Sequence, residues 1–311
     1  MPMSTRSRIK RIVIGLAVLA VVLAAGFAVA MPAITRWGAT AEEVAMSLPG
    51  DGQLSKPLVD WTSATTINAP PDRVWPWIAQ IGDTRGGFYS YTFIENQAGS
   101  ITGSSDYQVV YHNADRVRPE WQNPQPGEQL IQGVLKVAEV KPNEYLLADS
   151  VMPGSMGWTW IWSVQPVNGG AQTRLISRSR VQPPPGPENP VMFFVFNVGG
   201  FVMMQNMMQG IQQRAEGVGE PPYIETVEIM LWFAAFFAGL VAAVLFVVKP
   251  DWRIAALVTV ASAIAVLVLT IVQPAIWVRV VMDMALWAGV VLAWKGPRPA
   301  AAALQPTAAK A

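Results

Sequence analysis

The chain has 311 residues, 52% of them hydrophobic and 14% charged, with a formal net charge of +1 and no cysteine. A charged fraction well below the roughly 25% of an average soluble domain requires part of the chain to sit in lipid, and the near-neutral balance, with no nucleic-acid motif, excludes a nucleic-acid partner. Missing cysteine rules out disulfides, thiolate metal sites and cysteine nucleophiles; one histidine leaves no ordinary zinc set, and no phosphate loop, dinucleotide fingerprint or nucleophile elbow occurs, so neither metal nor cofactor is expected.

Residues 1–11 form a basic amino terminus with Arg6, Arg8, Lys10 and Arg11, followed by an uncharged run over 12–31. Twenty residues at about 1.5 Å each span the roughly 30 Å hydrocarbon layer. The run also exceeds the roughly 7–15 apolar residues of a cleaved signal. A transmembrane signal anchor is expected, with cleavage after Ala28-Val29-Ala30 as the alternative; either way the basic flank stays inside and the region beyond residue 31 is exported.

From 32 to 222 the composition is that of one exported globular domain, long enough for a well-buried core. Residues 62–68 read as a strand. Pro70-Pro71-Asp72 then opens a helix, because proline in the first turn loses no needed N–H and aspartate suits the dipole. Val74, Trp77, Ile78 and Ile81 give it one buried face, Gly82 stops it, and Pro76 predicts a kink or a late start. Phe88, Tyr91, Ile94 and Ala98 make a second helical stripe ending at Gly99, with Glu95 one turn beyond Tyr91 and pointing to the interior or its rim. Residues 128–140 and 145–148 read as paired strands around a Lys141-Pro142-Asn143-Glu144 turn.

The clearest strand pair is GWTWIWSVQPV, NGG, AQTRLISRSRVQ, over 157–182. Alternation puts Trp158, Trp160 and Trp162 on one sheet face. On the partner strand Thr173, Leu175, Ser177 and Ser179 turn inward beside them, and Arg174, Arg178 and Arg180 turn outward. Pro183-Pro184-Pro185-Gly186-Pro187 is a stiff spacer into one long helix over about 190–216. Met203/Met207 and Met204/Met208 repeat there at i, i+4, as adaptable core filling or as a ligand-lining face.

Three further apolar segments, 224–248, 254–272 and 274–294, read as transmembrane helices, with 295–311 a disordered cytoplasmic tail. Lys249, Arg253, Lys295, Arg298 and Lys310 all fall inside if the amino terminus is inside, so both ends are expected in the cytoplasm. Arg279 and Asp283, i, i+4 neighbours in the last span, read as a paired interface couple, with an intramembrane functional site as the alternative.

The order strand, two helices, antiparallel strands, long helix resembles the helix-grip fold of the START-related SRPBCC superfamily, which includes polyketide cyclase/dehydrase-like and Bet v 1-like proteins. RWGAT at 36–40, INAPPDRVWPWIAQIG at 67–82, GGFYSYTFIEN at 86–96, HNADRVRPEW at 112–121, TRLISRSR at 173–180 and MMQGIQQRAE at 207–216 look like a bacterial, membrane-anchored branch of it. The resemblance covers about 34–217. It implies an α+β helix-grip domain, a curved antiparallel sheet around a long C-terminal helix with an apolar cavity between them. It brings no catalytic residue with it.

Residues 86–121 concentrate the polar groups. His112, the only histidine, with Asp115 and Glu120 is either an acid–base group or a structural loop. Phe88, Tyr89, Tyr91 and Glu95, with Trp158, Trp160, Trp162, Phe194, Met203 and Met207, are candidate ligand-lining residues, with ordinary core as the competing assignment. The expected function is non-catalytic binding of a hydrophobic small molecule or lipid at the outer surface of a bacterial plasma membrane. The alternatives are a cyclase- or dehydratase-like enzyme using His112 with Asp115 or Glu120, and a membrane sensor or assembly factor.

Overall fold

The computed structural model describes residues 4–96, 113–150, 156–184, 186, 195–219 and 223–295, apart from the side chains of 16, 19, 20, 23 and 195. The chain divides into two compact units, Ala30–Thr226 and the pair of segments Met1–Val29 and Val227–Ala311.

The first unit is built on β1 (Val59–Ile67), β2 (Gln129–Ile131), β3 (Leu135–Lys141), β4 (Tyr145–Ser150), β5 (Gly157–Val167) and β6 (Gln172–Gln182). They form a six-stranded sheet in the order β1-β6-β5-β4-β3-β2, every pair antiparallel. The β5/β6 turn uses Asn168, Gly169 and Gly170 at φ 50°, 67° and 87°, left-handed values that asparagine and glycine reach at little cost. Of the helices α1 (Thr5–Thr35), α2 (Ala41–Ala45), α3 (Pro71–Ala79) and α4 (Gly200–Glu216), α4 lies against α3 and β1.

α3 has proline at N1 and Asp72 in its first turn, and it buries Val74, Trp77 and Ile78. It does not start late, and Pro76 sits inside it. Those side chains, with Met204, Met208 and Ile211 of α4, close over Trp61, Ile67, Leu146, Trp162 and Leu175 on one face of the sheet. Each large apolar side chain buried there contributes about 1.5–3 kcal/mol. Gly200 is needed at the start of α4, because a Cβ there would stand 2.7 Å from the Trp61 ring. A π-helical turn, Val195–Gly199, precedes the helix.

The expected helix through Phe88 and Tyr91 does not begin there. Gly82 and Gly87 exchange backbone hydrogen bonds at 3.1 and 2.9 Å, and Tyr89 stands at φ 56°. A non-glycine residue takes that conformation when other contacts hold it, and among the described residues the helix starts at 92.

The second face of the sheet also differs from expectation. Arg174, Arg178 and Arg180 point away from the tryptophans, as alternation requires, yet Arg178 is buried and the other two are only partly exposed. The segment around α2 lies over them, packing Leu48 against Ala64, Leu147, Ile161 and Ile176. Arg178 is 5% exposed and donates to Asp51 Oδ2 (2.6 Å), to the carbonyls of Met46, Glu43 and Val44 (2.8, 2.8 and 3.0 Å) and to Thr62 Oγ1 (3.0 Å). Arg174 pairs with Glu43 at 2.7 Å and Arg180 with Asp60 at 3.2 Å. A guanidinium offers five donors in a fixed fork, so it can be buried where carbonyls and carboxylates converge.

The second unit contains α5 (Ile224–Val248, from Val227 onward), α6 (Arg253–Ile271) and α7 (Ile276–Lys295). Their mean hydropathies are 2.6, 2.7 and 1.8, and each is long and apolar enough to cross a membrane. Small residues line their contacts: Ala235, Ala238, Ala242, Ala255 and Ala265 are buried, and a Cβ on Gly239 would stand 2.5 Å from Ser262 Oγ. In the amino-terminal part of α1, Arg11 donates to the carbonyls of Phe246 and Lys249 at 3.3 and 3.0 Å. Arg279 does not pair with Asp283 as its spacing suggests. It bridges to Glu228 of α5 at 2.9 Å and donates to the Pro274 carbonyl at 2.7 Å. Asp283 is 5% exposed, and neither of its oxygens has a hydrogen-bond partner among the described residues.

Candidate functional site

β5 places its tryptophans in a ladder. Ring centroids are 5.7 Å apart for Trp158 and Trp160 and 4.3 Å for Trp160 and Trp162. The neighbouring strand supplies most of their polar needs. Trp158 Nε1 donates to Ser179 Oγ at 2.9 Å and Trp160 Nε1 to Ser177 Oγ at 3.0 Å, each a diagonal cross-strand contact. Trp162 Nε1 reaches Met207 Sδ on α4 at 3.4 Å. Phe88 stacks on Trp160 at 6.3 Å, and Phe196 meets Trp158 edge-on at 6.0 Å. Burial falls along the ladder, from Trp162 (0% exposed) through Trp160 (8%) to the half-buried Trp158. Trp162 and Met207 are thus core, and the open end of the ladder lies at Trp158 and Phe196.

A second group of candidates gathers around the 86–96 segment. Tyr89 is core: its hydroxyl donates to the Trp77 carbonyl at 3.0 Å, its ring meets Trp77 edge-on at 5.8 Å, and the Arg214 guanidinium stacks 4.8 Å from its centre. Burial pushes its phenol above the ordinary value. The Tyr89 backbone comes so close to α4 that a Cβ on Gly210 would lie 2.4 Å from its carbonyl oxygen. Tyr91 is buried as well.

Asn113 fixes this unusual backbone. Its Oδ1 accepts from the Tyr89 N–H at 2.7 Å, and its Nδ2 donates to the Ser90 carbonyl and to Glu225 Oε1, each at 2.8 Å. Ser90 Oγ donates to the Met203 carbonyl at 2.9 Å, so the segment is held to α4 as well. Glu95 is 1% exposed, and neither of its oxygens has a hydrogen-bond partner among the described residues. Burial, and then the negative charge of Glu225, push its carboxyl up to about 8, as expected of an acid taken out of water near a like charge.

Asp115 is exposed, and Glu120 is exposed and 3.9 Å from Arg118. His112 and Phe194 lie outside the described residues. Among the described residues no group of three or more potential metal ligands occurs. Asn113, Ser90 and Glu225 were not singled out from the sequence; Glu225 shares the start of the apolar α5 run with Glu228, and Asn113 acts on residues 23 and 24 positions away.

These features define the class of protein: an α+β unit with a six-stranded antiparallel sheet, joined in one chain to three helices of membrane-spanning length. No family model and no curated protein matches the chain. Among solved structures it is similar to protein MLL2253 from Mesorhizobium loti, at 12% identity over 52% of this chain and 99% of that one, with a TM-score of 0.29. It is also similar to the KanY protein, at 15% identity over 52% and 100% of the two chains and a TM-score of 0.31. A third is CalU16 from Micromonospora echinospora, at 12% identity over 52% and 77% and a TM-score of 0.28. Likenesses this distant assign no family, and the functional reading is built on the chain's own geometry.

Proposed function

We propose that the Ala30–Thr226 unit is a helix-grip domain that holds a hydrophobic small molecule or lipid against the tryptophan ladder, without catalysis. The observation that carries this is the ladder itself. All three indole N–H groups are bonded inside the protein, so the ladder offers only ring faces, and its half-buried end at Trp158 is bordered by Phe196. Apolar walls with few directional groups are what ligand pockets require. The packing of α4 against β1 and α3 supports the grip arrangement. The basic residues flanking the apolar helices favour a bacterial plasma-membrane protein with four spans, both termini in the cytoplasm and the domain exported.

The test uses the full chain in lipid nanodiscs. Nile red, a neutral apolar dye, is expected to bind saturably and to quench tryptophan emission, and native mass spectrometry is expected to find a co-purifying apolar molecule. Trp158→Ala is expected to weaken dye binding by about tenfold, about 1.4 kcal/mol. Absence of both saturable dye binding and a co-purifying molecule would refute the reading.

A further inference from the structure

We infer that the ligand is a cationic amphiphile, with an ammonium group seated on Glu95 beside Glu225 and an apolar part on the tryptophan ladder. This deepens the apolar-ligand reading and rests on it.

Arg178, buried on the other face of the sheet, is matched by Asp51 and three carbonyls; Glu95 has no such match among the described residues. Glu95 is 1% exposed with both oxygens unpartnered among the described residues, and leaving a buried carboxylate so costs several kcal/mol. An apolar side chain in its place would avoid that cost. The titratable group coupled to it is Glu225, at the start of α5, which adds charge of the same sign. Arg214 of α4 is the cation beside this segment, but its Nε donates to the Ala114 carbonyl at 2.9 Å, its Nη1 to the Gly210 carbonyl at 3.0 Å, and its plane rests on Tyr89. The site therefore presents two acids and an empty pair of acceptors.

An ammonium group brings three donors and the opposite charge, which answers both deficits, whereas an anionic headgroup would meet the negative charge of Glu225 and would keep Glu95 from ionising. Glu95 and the ladder are joined through one segment, in which Phe88 stacks on Trp160 at 6.3 Å, seven residues before Glu95.

Binding also moves a proton. In the empty site Glu95 is neutral at pH 7, since burial holds its carboxyl up at about 8. The amine arrives as ammonium and keeps its proton, so the Glu95 carboxyl gives its own proton to solvent and binds as carboxylate. Complex formation at pH 7 therefore releases about one proton.

The full chain in zwitterionic nanodiscs is loaded with Nile red and titrated with dodecylamine, dodecanol or dodecanoate, with empty nanodiscs subtracted. Dodecylamine is expected to displace the dye at a concentration at least about tenfold lower than dodecanol, and dodecanoate to be the weakest. Glu95→Gln, with dye binding retained as the check on its fold, is expected to erase the difference between amine and alcohol. Calorimetry at pH 7 in two buffers of different ionisation heat is expected to show about one proton released by the native chain and none by Glu95→Gln. Equal displacement by amine and alcohol in the native chain, or no proton release, would overturn the amine assignment while leaving an apolar site. Failure of Nile red itself to bind would instead remove the reading on which the inference rests.

Discussion

A buried group that lacks a partner makes the fold's stability depend on pH. Glu95 titrates near 4.5 when unperturbed and near 8 in the folded chain, so between those values the folded state holds a proton that the unfolded state has lost. Its favourable contribution is complete below about 4.5 and is lost as pH rises through about 8. Glu95→Gln is therefore expected to stabilise the domain by on the order of 3 kcal/mol at neutral pH and by little at pH 4.5. Thermal unfolding at the two pH values checks this, and an equal shift at both would contradict it. Arg178 behaves in the opposite sense. Removing it strands Asp51 and several buried carbonyls, so Arg178→Met is expected to cost about 3–5 kcal/mol in denaturant unfolding. Arg178→Lys should recover little, because one ammonium cannot reach five acceptors spread around a planar fork.

At the scale of elements, close approach sets the tolerances. Gly210→Ala puts a Cβ against the Tyr89 carbonyl, in a segment that Asn113 already holds by the Tyr89 N–H and the Ser90 carbonyl. It is expected to lower the melting temperature of the full chain and to shift the Tyr89 segment, seen as faster amide exchange at Tyr89. In the apolar helices, Arg279→Leu removes the guanidinium that pairs with the half-buried Glu228. It should be more damaging than the double change of Arg279 and Glu228 to leucine; the detergent-solubilised bundle's melting temperature reports the order. How much of this was legible depends on the range of the forces. The β5/β6 hairpin could be read because period-two alternation and Asn-Gly-Gly are local signals, and the apolar helices because their length is one. The Phe88, Tyr91 and Ile94 spacing pointed to a helix that Asn113 and the Gly82/Gly87 bridge override from a distance. Alternation gave the arginine face correctly but said nothing of what covers it. The pairing of Arg279 with its i+4 neighbour lost to Glu228 because a cross-helix partner leaves no mark in spacing. For the site, the ladder was visible as a pattern, while the isolation of Glu95 is a property of three-dimensional surroundings alone.

For the molecule as a whole, the missing cysteines are an experimental convenience. Single cysteines introduced at Lys56 in the domain and at Asp251 between α5 and α6 can be probed on intact cells with an impermeant maleimide. The proposed topology has position 56 labelled and position 251 labelled only after lysis; the reverse pattern would invert the orientation. The arginine clamp also sets an order in time. The partners of Arg178 lie 116 to 135 residues before it, and contacts of such separation form late because the intervening loop must close first. Leu48 can be fastened over Ile161 and Ile176 only once β6 has left the ribosome. Until then the sheet has a greasy back, and a nascent chain stalled before residue 172 would be the form of this protein most exposed to chaperones and to aggregation.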